Sequence, residues 1–155
     1  MSHSDIPGEG PYASTAFLIE SGGHYVLFIG DTGPDAVEES DGMNSVWQRV
    51  APLVREGKLH GIFLEVSFPN DRPDHLLFGH LTPSWMMEEL RALAQQVDSD
   101  RPETALRGLS VVVTHIKPSF KQGEDPAALI DEQLKQLNDL GVKFILPQQG
   151  QRIVL

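Results

Sequence analysis

Four short segments each carry an apolar run into a polar or titratable residue at a loop. They are Phe28-Ile29-Gly30-Asp31-Thr32-Gly33, Phe63-Leu64-Glu65-Val66-Ser67-Phe68, Phe78-Gly79-His80-Leu81-Thr82-Pro83 and Val113-Thr114-His115-Ile116-Lys117-Pro118. Active sites of layered α/β proteins gather at strand ends, so these four segments could converge. A carboxylate and imidazoles at such positions are hard-to-borderline ligands suited to divalent zinc, manganese or iron. Each residue also has a plainer role. Asp31 before Thr-Gly-Pro suits an Asx-turn. His80 could cap the helix that follows it. Glu65 lies inside an apolar strand, where an unpartnered carboxylate costs several kcal/mol, so it needs a cation, a histidine or a metal beside it. His115 follows a Val-rich strand and is well placed as a ligand. His24, His60 and His75 read as a hairpin, a strand-start and a loop residue, and His3 as a terminal one.

Other chemistries are absent. There are no cysteines among the 155 residues, which excludes a disulfide scaffold, a thiolate zinc site and a cysteine nucleophile. Glycines 30, 33 and 79 form no dinucleotide fingerprint, no Walker-type lysine follows a glycine loop, and there is no Gly-x-Ser-x-Gly elbow. The formal charge of −10 argues against nucleic acid or an anionic membrane as partner. It leaves room for a small anionic substrate, because a bound metal reverses the local sign. The longest stretch free of Asp, Glu, Lys and Arg, His75–Met87, is shorter than the about 18 residues a membrane span requires. The first 20 residues hold no Lys or Arg and no compact apolar block, so a cytoplasmic location is expected.

The elements that must position these residues follow from periodicity. Strands are expected at Tyr12–Glu20 and His24–Gly30 around a Gly22-Gly23 hairpin turn. Further strands are expected at His60–Val66, Leu109–Thr114, Val142–Leu146 and Arg152–Leu155. Helical spacing of Val46, Trp47, Val50, Leu53 and Val54 marks a helix within Val37–Lys58. A second carries Met86, Met87, Leu90, Leu93, Ala94 and Val97, capped by Thr82 or Ser84 with Pro83 in its first turn. A third spans Pro126–Leu140 with Gly141 as its C-cap. This is a single α/β domain with three helices and six strands. Phe17-Leu18-Ile19 and Val111-Val112-Val113 are apolar on both faces, which implies a sheet covered on both sides. Three helices cover one face. The other face has no evident cover.

The order Ala13-Ser14-Thr15-Ala16-Phe17-Leu18-Ile19, Gly30-Asp31-Thr32-Gly33-Pro34-Asp35, Leu64-Glu65-Val66-Ser67-Phe68, Gly79-His80-Leu81-Thr82-Pro83 and Thr114-His115-Ile116-Lys117-Pro118 resembles the class II 3′,5′-cyclic-nucleotide phosphodiesterases. The resemblance covers nearly the whole chain, and five motifs in order are far more specific than any one. It implies the metallo-β-lactamase-like αββα sandwich, metal-dependent hydrolysis of cyclic AMP or cyclic GMP to 5′-nucleotides, and a dinuclear zinc, manganese or iron centre. It implies Asp31 as the bridging metal ligand, His115 as a terminal ligand of one metal and His3 as a ligand of the other. Glu65 and His80 look like a glutamate–histidine pair near the leaving group, with His80 as general acid.

That fold's His-x-His-x-Asp-His loop occurs nowhere in the 155 residues. The expectation is therefore that residues 1–155 form the C-terminal half of the sandwich, one mixed sheet with helices on one face, with the N-terminal metal-binding half absent. Such a chain is expected to be inactive alone and to associate, with itself or another chain, through its uncovered sheet face. Two other readings stand beside this one: a different phosphodiester hydrolase of the same fold, such as a transfer-RNA-processing one, and a non-catalytic half-domain that acts by association.

Overall fold

A computed structural model describes residues 14–120 and 122–155. Five strands form one mixed sheet in the order β1-β2-β3-β4-β5. β1 (Ala16–Ser21) and β2 (His24–Ile29) make the expected hairpin, whose turn sets Gly22 and Gly23 at φ of 60° and 82°. Two successive positive φ angles at a two-residue turn are what glycine supplies without steric cost. From β2 onward all neighbours are parallel: β3 is Leu59–Glu65, β4 is Ser110–Thr114 and β5 is Lys143–Ile145.

The crossovers are α1 (Asp35–Glu38) and α2 (Gly42–Arg55), then α3 (Pro83–Val97) and α4 (Pro102–Ala105), then α5 (Pro126–Leu137). Parallel strands added one after another in one direction, joined by right-handed crossovers, put every helix on the same face. The core lies there. Leu27, Ile62, Leu64, Val111 and Val113 of the sheet pack with Trp47, Met86, Met87, Leu90, Ile130 and Leu134 of the helices, all buried. Among the described residues no helix is long and apolar enough to cross a membrane.

The opposite face carries a continuous apolar row. Phe17, Phe28, Phe63, Val112 and Ile145 stand in register across all five strands. The Phe28 and Phe63 rings lie 6.0 Å apart. Phe17 and Ile19 remain 56% exposed and Phe28 39%, so the β1–β2 end of this face is open.

Three expectations are corrected. Arg152–Leu155 is not a sixth strand. Leu155 lies against the face of β3, where a Cβ on Gly61 would come within 2.8 Å of its Cδ1, so its segment packs onto the sheet instead of extending it. The helix expected to reach Leu140 ends at Leu137, and Asn138 replaces Gly141 as its cap. The Asn138 side chain closes the turn, donating to the Val142 carbonyl at 2.8 Å and accepting from the Val142 N–H at 3.2 Å. The helical region within Val37–Lys58 divides into two, because Glu39 turns left-handed at φ 50°. Asp35 then caps α2 from outside, accepting from the N–H groups of Met43 and Asn44.

Candidate metal and phosphoester site

Asp31 lies just past the C-terminal end of β2, Glu65 is the last residue of β3, and His115 follows the last residue of β4. These are adjacent parallel strands, so the sheet delivers all three to one edge. His80 arrives from the β3–α3 connection, two residues ahead of the Thr82 N-cap, whose hydroxyl accepts from the Trp85 N–H with Pro83 in the first turn. Left-handed backbone at Phe78 (φ 53°), Gly79 (φ 76°) and His115 (φ 58°) re-aims the chain at both histidines. A non-glycine residue in this region carries strain, and such residues cluster at functional sites.

One ligand atom each from Asp31, His80 and His115 falls within 4.8 Å of the others. Asp31 Oδ1 is 3.0 Å from His115 Nδ1, and both residues are open to solvent. His80 is buried, with its Nδ1 2.9 Å from Glu65 Oε1. Its Nε2 is 2.9 Å from Lys117 Nζ. Lysine ammonium only donates and carboxylate only accepts, so these partners assign the neutral ring a proton on Nδ1 and a lone pair on Nε2.

Glu65 meets the requirement its burial sets. At 1% exposure its Oε1 also accepts from the N–H groups of Thr32 and Leu81, each at 3.3 Å, and its Oε2 accepts from Ser67 Oγ at 2.9 Å. One carboxylate thus ties the Asp31 turn, the His80 loop and the end of β3 together. Ser67 extends the network to β4, with its Oγ 3.1 Å from His115 Nδ1 and its carbonyl accepting from the Lys117 N–H. No side-chain polar atom buried among the described residues lacks a partner.

His3 lies outside the described residues. His24 and His60 meet each other, 2.6 Å between ring nitrogens, near the N-terminal ends of β2 and β3. Ser67 and Lys117 received no role from sequence reasoning. Both lie past the ends of β3 and β4, where strand alternation no longer marks which side a residue takes.

A carboxylate and two imidazoles at these separations could together hold a divalent metal ion. Asp31 and His115 are the exposed residues of the cluster, whereas His80 is buried with both ring nitrogens partnered within the protein.

The family model for cAMP phosphodiesterases class-II matches residues 1–150. A probable 3′,5′-cyclic-nucleotide phosphodiesterase of Yersinia pestis is 45% identical over 150 residues, covering 97% of this chain and 41% of the relative. The 3′,5′-cyclic-nucleotide phosphodiesterase of Aliivibrio fischeri is 48% identical over 138 residues, covering 88% of this chain and 41% of that protein. Among solved structures, unliganded yeast PDE1 superposes with a TM-score of 0.66 at 29% identity, over 79% of this chain and 35% of the yeast one. The fold of this chain is thus shared with a yeast phosphodiesterase. The chain belongs to the class-II cAMP phosphodiesterase family, and it spans 41% of the length of the two bacterial relatives.

Proposed function

We propose that this chain supplies part of the active site of a divalent-metal-dependent enzyme that hydrolyses 3′,5′-cyclic nucleotides to 5′-nucleotides. The observation that carries the reading is the convergence of Asp31, His80 and His115 within 4.8 Å at the C-terminal edge of parallel strands. Its architecture is one layer pair of a metallo-β-lactamase-like sandwich, and the open Phe17–Phe28 face is where the other sheet, or another chain, packs.

Asp31 and His115 would hold the cation, with His3 a further candidate ligand should a second metal bind. When bound, such ions stabilise charge on the phosphoryl oxygens and make water a competent nucleophile near neutral pH. The chain's own residues manage the leaving group. Hydrolysis forms a bond from water oxygen to phosphorus, breaks the bond from phosphorus to O3′, and requires a proton at O3′. Glu65 fixes the His80 ring through Nδ1, and His80 Nε2, on taking a proton from Lys117 Nζ 2.9 Å away, is placed to pass it to that oxygen. His80 is therefore the general acid, Glu65 its positioning residue, and Asp31 and His115 the metal ligands.

The test supplies this chain with the portion of the Yersinia pestis relative that it does not match, loads zinc or manganese, and follows cyclic AMP conversion alongside bound metal. Turnover that disappears in Asp31→Ala together with the metal supports the reading. Full turnover and full metal content in both Asp31→Ala and His115→Ala would contradict it.

A further inference from the structure

His24 opens β2, and His60 is the second residue of β3. Their rings meet at 65° with centroids 4.6 Å apart, and His24 Nδ1 lies 2.6 Å from His60 Nε2. We propose that these two imidazoles form a second metal site, distinct from the strand-end cluster, that takes a borderline divalent ion of the zinc or copper type.

The strands present the pair. His24 stands four residues before Phe28 on one strand, so both side chains point to the open face of the sheet. Beside it the ladder slips: Tyr25 pairs with Leu59 and Val26 with Gly61, which leaves His60 as the extra residue of a β-bulge. Leu59 and Ile62 both enter the core, and the bulge holds His60 between them on the other side. Bulges serve to re-aim a side chain, and this one is aimed at His24.

The pair is well apart from the strand-end cluster. It sits at the N-terminal ends of β2 and β3, whereas Asp31, Glu65 and His115 lie at C-terminal strand ends. The six-residue β2 separates the two places by roughly 20 Å.

The chemistry suits a metal. Imidazole is the commonest protein ligand of transition metals, and copper leads the affinity order for nitrogen donors, with zinc close behind. Two nitrogens held at about 2.0–2.1 Å from one ion stand roughly 2.9–3.4 Å apart. The rings therefore need to part by less than about 1 Å, and His24 is exposed and free to turn. In the present contact one facing nitrogen donates and the other accepts. Moving the donor's proton to its other ring nitrogen leaves two lone pairs facing one point. Lys58, the basic residue just ahead of β3, has its charge engaged by Glu56. Water fills the remaining positions of the ion.

The experiment titrates zinc chloride, and separately copper(II) chloride, into the 155-residue protein carrying Asp31→Ala and His115→Ala, which silences the strand-end cluster. Calorimetry reads affinity and stoichiometry, and nuclear magnetic resonance reads which histidine rings respond to zinc. One ion per chain is expected, with the His24 and His60 signals moving together. His24→Ala or His60→Ala added to this background should weaken binding at least about ten-fold, since even a residue that only orients a ligand is worth about 10–100-fold in metal affinity. Should His60→Ala disturb the bulge, His24→Ala and His24→Gln, at an exposed side chain, decide the matter. Binding that persists in the His24 variants, shifts confined to His3, His75 or His80, or no saturable binding of either metal would overturn the proposal. No turnover is measured and the strand-end ligands are removed, so failure here leaves the phosphodiesterase reading untouched, and failure of that reading leaves this site standing.

Discussion

Glu65 Oε1 lies 2.9 Å from His80 Nδ1, and the same oxygen accepts from the backbone N–H groups of Thr32 and Leu81. The bond that orients the imidazole is thus built into the one that holds two loops in place. Glu65→Ala should damage stability as well as chemistry. The buried Leu81 N–H, the part-buried Thr32 N–H and a ring nitrogen would lose their acceptor, at about 1–3 kcal/mol for each buried group left unsatisfied. For a chain of this size a loss of about 3 kcal/mol lowers the melting temperature by roughly 6–12 °C. Thermal unfolding followed by circular dichroism checks this, and an unchanged melting temperature would deny Glu65 its tying role.

His80→Ala should separate chemistry from metal binding. In the complemented enzyme it is expected to keep its metal and lose roughly 10²–10⁴-fold in rate, the usual scale for a general acid. Metal analysis beside the rate decides the matter. Loss of the metal in this variant would make His80 a ligand, as its place within the 4.8 Å cluster also allows.

The fold and the site were legible in the sequence to different depths. Each strand of the sheet was visible because β-branched and aromatic runs ended in glycine or polar turns, as at Phe28-Ile29-Gly30 and Val113-Thr114-His115. Arg152–Leu155 misled for a physical reason: the short β-branched, apolar run Ile153-Val154-Leu155 serves as well for a tail lying on a sheet face as for a strand in its ladder. The partner that Glu65 needed could be foreseen from the cost of burying it, and the structure supplies His80. Ser67 and Lys117 were hidden because each gains its place from a bond across strands, Lys117 N–H to the Ser67 carbonyl, that no local pattern announces.

Glu89 gives the fold a pH dependence. It is buried on α3, where desolvation raises its pKa above the ordinary carboxylate value; the bonds it accepts from Trp47 Nε1 and the Asp35 N–H offset this in part. A carboxyl with a raised folded-state pKa binds its proton more tightly folded than unfolded. Its stabilising contribution is complete below the unfolded value and is lost as pH rises through the folded one. Glu89→Gln should flatten this slope. Urea unfolding of both proteins across the range above the ordinary carboxylate pKa measures it, and parallel curves would show that burial exerts no such effect.

The open sheet face should drive association. Phe17, Ile19 and Phe28 present contiguous apolar surface of the kind that marks an interaction site. The isolated chain is expected to dimerise or aggregate with rising concentration, and Ile19→Lys with Phe28→Ser should relieve it without unfolding the helical face. Light scattering reads the outcome; a monomer at high concentration in the unsubstituted chain would contradict it.

We propose that this chain carries the leaving-group side of a phosphodiesterase site and that its described residues supply too few ligands for the metal side. The described cluster offers three candidate ligand residues, whereas a catalytic zinc has about three protein ligands of its own and two metals need more. The most direct measurement compares bound zinc or manganese and cyclic AMP hydrolysis for the 155-residue chain alone and for the chain joined by the unmatched portion of the Yersinia pestis relative. The account predicts weak metal binding and no appreciable turnover alone, with both gained on complementation and both lost in Asp31→Ala. Robust turnover by the chain alone, or none in a complex that binds metal, would contradict it.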